Sequence, residues 1–189
     1  MIPEGSKSGA AAAAVYVTHR VLPLDHAHFG ALPRQTIRAT EHFVARLREF
    51  SQRVAGVAHV TVPFLPDSNL VCLAINPAGN RDVAQANAFV RRLHDDLRCD
   101  PSRPLQMRQF FGSITTLRAD SIGPEALEAL CARLQLDPAT CGDGADRDRL
   151  TILRHTLMNP YLLDVENGIS YIDLYLDYLA ARLRLLLLT

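Results

Sequence analysis

Residues 57–77 read VAHVTVPFLPDSNLVCLAINP, and the fold turns on how this stretch is parsed. The first eight residues alternate, so Ala58, Val60, Val62 and Phe64 share one face. Residues 69–77, NLVCLAINP, form a nearly continuous apolar run. Period-two alternation marks a strand with one buried face, and a short unbroken apolar run marks a strand buried on both. Between them LPDSN (65–69) clusters turn formers. The stretch is predicted to be a β-hairpin.

Helical periodicity flanks the hairpin on both sides. Phe43, Val44, Leu47, Phe50 and Val54 make one stripe over Thr36–Val54, with Arg38, Glu41, Arg46 and Glu49 elsewhere, and Gly56 closes the helix. Ser8–Leu22 reads as an earlier helix: five alanines follow a serine cap, and Pro23 ends the run. Asn80–Arg98 is helical, with Val83, Ala86, Phe89, Val90, Leu93 and Leu97 on one side. LQMRQFFGSITTL (105–117) is rich in β-branched and aromatic residues and is predicted to be a strand, with Gly112 marking a bulge or a close approach. Gly123-Pro124 opens a helix through Leu134, and 137–148 is a polar loop. RLTILRHTLMNP (149–160) is a further strand, stopped by Asn159-Pro160. Ser170 and Asp173 resemble a capping box for a final helix to about Leu187, which is apolar nearly all round and calls for a second partner surface. The order α-α-β-β-α-β-α-β-α is not a βαβ alternation. It predicts an α+β fold: two leading helices, then a four-stranded, mainly antiparallel sheet with helices on one face.

Composition narrows the function classes. In 189 residues, 20 basic side chains balance 20 acidic ones, which argues against nucleic acid or an acidic membrane as partner. All the basic residues but Lys7 are arginine, so amine chemistry falls to Lys7 or the terminus. Cys72, Cys99, Cys131 and Cys141 lie far apart without a CxxC, which fits free thiols in a reducing cytoplasm. The opening residues make a poor secretory signal, and Asp173, Asp177, Arg182 and Arg184 interrupt the apolar tail, so no membrane span is expected.

No complete active site stands out. Phosphate-loop, zinc-protease, EF-hand and nucleophile-elbow patterns are all missing. His26 and His28 lack further ligands nearby, and Asp143, Asp146 and Asp148 read as a solvated turn, so no metal site is assigned. His59 and His155 read as structural strand residues.

Taken in order, EGSKSGAAAAAVYVTHRVLPL, an amphipathic helix, VPFLPDSNLVCLAINP, MRQFFGSITTL and ILRHTLMNPYL resemble the C-terminal part of the bacterial group II pyridoxal-phosphate decarboxylases, tyrosine decarboxylases above all. The resemblance covers about Ile2 to Leu179 and implies the small domain of a fold-type-I enzyme. It divides the chain into 1–55, the last helices of the large-domain or connecting region, and 56–189, a C-terminal α+β small domain. In that family a lysine in a His-Lys context links pyridoxal 5′-phosphate, and an aspartate meets its ring nitrogen; both lie upstream of the matched part. Lys7, in a Gly-Ser-Lys-Ser-Gly context, is not given that role. By family position Gly5 and Ser6 would meet the cofactor phosphate across a dimer, a use suited to a hydroxyl and free N–H groups at a helix start; the alternative is an ordinary cap. Gly112 and Ser113 would border the substrate pocket, the alternative being a strand serine satisfied by its neighbours. Arg154 is read as a structural pairing residue.

The expected function is thus that of a decarboxylase portion for an aromatic L-amino acid. It would supply dimer contacts and pocket edges, would be inactive alone and would bind no cofactor stably by itself. Its partner is a second copy or a large-domain chain, and a small amino acid is the substrate of the full enzyme. The alternative is a non-catalytic interaction module that docks on a large-domain chain.

Overall fold

The computed structural model describes residues 9–188 except 103, 105–108, 143–145 and 147, together with the backbone but not the side chains of 141 and 142. Two helices lead, α1 (Gly9–Val21) and α2 (Ala31–Arg53). The hairpin strands β1 (Ala58–Thr61) and β2 (Leu70–Pro77) follow, then α3 (Val83–Asp95) and β3 (Ser113–Arg118). A one-turn α4 (Ala119–Ile122), α5 (Pro124–Arg133) and a 3-10 turn lead to β4 (Arg149–Thr156). A two-residue ribbon, β5 (Leu163–Asp164) with β6 (Ile169–Ser170), ends in α6 (Tyr171–Leu186).

The sheet has the order β1-β2-β4-β3 with every neighbour antiparallel. The α+β class, the hairpin and the four-stranded antiparallel sheet with helical cover are therefore observed. Strand β2 lies in the middle and is buried on both faces, as its unbroken apolar run requires. Val71, Leu73 and Ile75 point to one side, where α2 contributes Phe43, Leu47 and Phe50 and α6 contributes Leu176, Leu179 and Leu183. Cys72 and Ala74 point to the other, where they meet Leu127, Leu130 and Leu134 of the α5 segment. Alternation along one strand thus feeds two apolar clusters, so α5 covers the face opposite α2 and α6.

Helix α3 belongs to both clusters because of how the sheet opens. The pairing of β2 with β4 runs from Leu70↔Thr156 to Leu73↔Leu153. Further along β4, the Asn87 side chain of α3 replaces a strand neighbour. Its Oδ1 accepts from the Thr151 N–H at 2.7 Å, and its Nδ2 donates to the Arg149 carbonyl at 3.2 Å. A side-chain amide carries the same donor and acceptor as a peptide unit, so it continues the ladder without a strand.

Several boundaries differ from the sequence reading, each for a local reason. Helix α2 starts at Ala31 rather than Thr36, because Pro33 falls in its first turn, where no intrahelical N–H partner is needed. Strand β1 stops at Thr61: Arg133 donates to the Val62 carbonyl at 2.5 Å, to the Pro63 carbonyl at 3.2 Å and to the Thr61 hydroxyl. The third strand starts at Ser113, not at 105. Residues 105–108 lie outside the description, and Phe110–Gly112 run outside the ladder, with the Gly112 N–H donating to the Leu97 carbonyl at 3.0 Å. Gly112 is a close-approach glycine: a Cβ there would lie 3.2 Å from Leu97 Cδ1. The capping serine of α6 is observed, Ser170 Oγ accepting from the Asp173 N–H at 3.1 Å.

Helix α1 differs from the rest in having no buried residue. Tyr16 is 66% and Val21 78% exposed, and Ala10–Ala14 are exposed with them. Among the described residues no helix is long and apolar enough to cross a membrane.

Candidate functional site

One end of the sheet opens into a cleft of about 340 Å³. Most of its lining comes from 110–113 entering β3, 154–159 leaving β4 and the first turns of α6, with Phe43 of α2 and Leu162 completing it. The first two meet because β3 and β4 are antiparallel, which sets the start of one beside the end of the other, with Ser113 opposite Arg154. Most of the lining is apolar, including Phe110, Phe111, Leu157, Met158 and Ile172.

The topology brings Gly112 and Ser113 to this cleft. Ser113 Oγ donates to the Arg154 carbonyl at 3.1 Å and accepts from Arg154 Nε at 3.2 Å, so Arg154 pairs with the residue facing it across the ladder. Gly5, Ser6 and Lys7 lie outside the described residues, as does Asp143, so their expected roles have no geometry here. His28 Nδ1 contacts Asp25 Oδ1 at 2.7 Å in the α1–α2 loop, and Asp146 pairs with Arg91. Among the described residues no group of three His, Cys, Asp or Glu side chains gathers as metal ligands would.

The polar centre of the cleft was not read from the sequence. His155 and Tyr175 both line it and are both 7% exposed. Their side chains meet at 2.6 Å, His155 Nε2 to Tyr175 Oη, while His155 Nδ1 lies 3.2 Å from the Val71 carbonyl. Burial depresses the His155 pKa to about 4, against a smaller opposing effect of the Val71 carbonyl, so the imidazole is neutral. Burial pushes the Tyr175 phenol up, with Tyr178 adding to it. Rings hold the pair on edge: Phe43 stands 5.4 Å from His155 and Phe110 5.3 Å from Tyr175, centroid to centroid. The sequence marks His155 only as a structural strand residue. Nothing local announced that its partner sits twenty positions later on another element.

A second polar group ties α2 to α6 beside this floor. Arg46 Nε donates to Asp173 Oδ1 at 2.7 Å, and His42 Nε2 lies 3.4 Å from Asp173 Oδ2. Burial pushes the Asp173 carboxyl up, but Arg46, Ser170 and His42 together outweigh it and hold the carboxyl below its usual range.

An imine-linked pyridoxal phosphate needs an amine. The chain's one lysine, Lys7, lies outside the described residues, so the described residues do not themselves fit that cofactor's covalent site. Their chemistry is that of a pocket wall: apolar rings, neutral hydrogen-bonding groups and an arginine held by a serine.

No family model matches the chain. It is 29% identical over 185 residues to an L-tyrosine decarboxylase of Enterococcus faecalis, an alignment covering 97% of this chain and 28% of that protein. It is 27% identical over 184 residues to an L-tyrosine decarboxylase of Levilactobacillus brevis, covering 97% and 27%. An L-tyrosine decarboxylase of Enterococcus faecium is 29% identical over 164 residues, covering 86% and 26%. The chain therefore spans about a quarter of the length of these curated relatives, and the matches fit a portion of a group II pyridoxal-phosphate-dependent decarboxylase.

Proposed function

We propose that this chain is the C-terminal, small-domain portion of a decarboxylase that removes the α-carboxyl group of an aromatic L-amino acid. The observation that carries the reading is similarity to L-tyrosine decarboxylases along 97% of this chain but only 28% of theirs. In the whole enzyme, pyridoxal phosphate supplies the electron sink for the carbon that loses carbon dioxide. This chain contributes a pocket edge, with Gly112 and Ser113 on it, and Gly5 and Ser6 meet the cofactor phosphate across a dimer. It is inactive alone and works in the cytoplasm. Residues 1–55 form the connection from the large domain, and 56–189 form the small domain onto which α2 docks.

Helix α1 supports a partner as well. Thirteen residues with no buried side chain gain little from helix formation by themselves, because short helices in water depend on tertiary packing. A large domain, on a second copy or on a companion chain, would cover them.

The test is complementation. The N-terminal three-quarters of an L-tyrosine decarboxylase is mixed with this chain, and carbon dioxide release from L-tyrosine is followed. Release only from the mixture is expected. Release by this chain alone overturns the reading. So does an inactive mixture where the relative's own matching quarter restores activity.

A further inference from the structure

The hydrogen-bond polarity of the cleft floor is set by one carbonyl. The Val71 oxygen can only accept, so His155 Nδ1, 3.2 Å away, carries the proton of the neutral ring. Nε2 is then a bare lone pair, and at 2.6 Å it takes the only proton that Tyr175 Oη can give. The opposite tautomer would set a lone pair against a carbonyl oxygen. With its proton committed, Tyr175 Oη can only accept from a further partner. Burial keeps both groups neutral near pH 7, so the polarity does not reverse by ionisation. Phe43 and Phe110 pack edge-on against the pair, and most of the cleft lining is apolar.

We propose that Tyr175, oriented by His155, is a specificity-determining residue of the cleft, whose phenol oxygen accepts a hydrogen bond from a hydroxyl or N–H carried on an aromatic ring. Rings that lack such a donor fill the same volume but leave the buried acceptor unpaired. Ser113 Oγ is already engaged in both senses, donating to the Arg154 carbonyl and accepting from Arg154 Nε. The inference rests on the decarboxylase reading only in taking this cleft as the one that faces substrate.

Binding to this chain tests it without any turnover, so its failure is distinct from a failure of complementation. The probes are p-cresol, toluene and 4-methylanisole, which share a ring and differ in having a donor, no polar atom, or an acceptor only. Affinities are read from NMR shift titrations. Binding of p-cresol roughly two- to tenfold tighter than either other probe is expected, the range for one net hydrogen bond. Tyr175→Phe should remove that preference and leave toluene unchanged. Equal affinities, no binding by any probe, or a preference that survives in Tyr175→Phe overturns the proposal. Should Tyr175→Phe fail to fold, ¹⁵N shifts of the His155 ring in the unaltered chain decide: a protonated Nδ1 and bare Nε2 are expected, and a protonated Nε2 overturns it.

Discussion

His155 shows what a single buried titratable side chain costs as acid is added. Its pKa is about 4 in the folded chain against an ordinary 6.5. The folded state therefore binds fewer protons than the unfolded one between these values. Stability from the neutral ring is complete above about pH 6.5 and is lost as pH falls toward 4. A shift of this size corresponds to roughly 3 kcal/mol at most. Urea midpoints measured from pH 7 to 4.5 should fall steeply in the unaltered chain and more shallowly in His155→Gln. Asp173 acts lower on the scale. Its folded pKa lies below the usual carboxylate value, so its contribution is full above about pH 4 and disappears as pH drops further. Asp173→Asn should flatten that last part of the acid limb, by well under 1 kcal/mol, because the side chain is 35% exposed. His155 was legible as a structural strand residue. Its coupling to Tyr175 was not, because hydrogen bonds between distant elements leave no periodic trace in a sequence.

At the scale of elements, periodicity carried the reading where burial is one-sided and weakened where single contacts decide. The hairpin, the α6 cap and the apolar stripes of α2 and α3 follow from spacing alone. The late start of β3 does not, because the backbone at Gly112 is turned toward the Leu97 carbonyl instead of a strand. Gly112→Ala should cost about 1–2 kcal/mol, since the added methyl must displace Leu97. Loss of toluene affinity alongside the lower urea midpoint would show that the cleft wall moves with it. Asn87 is the larger lever. Asn87→Ala strips a partner from both the Thr151 N–H and the Arg149 carbonyl, and Asn87 itself is fully buried. A loss of about 2–4 kcal/mol is expected by urea denaturation, above the usual cost of one truncated surface side chain.

For the whole molecule, the two-sided core explains why the class of fold was readable while the site was not. Strand β2 announces two apolar faces by its composition, and the helices that cover them announce matching stripes. The cleft instead gathers residues from α2, the entry to β3, the exit of β4, Leu162 and α6, which meet only in the folded chain. Gly112 and Ser113 could be singled out through their resemblance to a family, but the ring-lined floor needs the assembled topology. Helix α1 marks the other limit. Removing residues 1–22 should change the unfolding free energy of the remainder by less than about 0.5 kcal/mol, because no α1 side chain is buried in it. A larger drop would mean that α1 folds back onto the sheet in solution.

The amide splice at Asn87 also makes the sheet a gauge of a helix. The Thr151 amide hydrogen can reach solvent only when α3 lifts away, since its acceptor belongs to that helix and not to a strand. Its deuterium uptake therefore times the detachment of α3, whereas the Leu157 amide just past the other end of β4, bonded to the Asn69 carbonyl beside β2, times the unzipping of β2. One strand thus carries two clocks, and comparing them separates fraying of the helical layer from opening of the sheet.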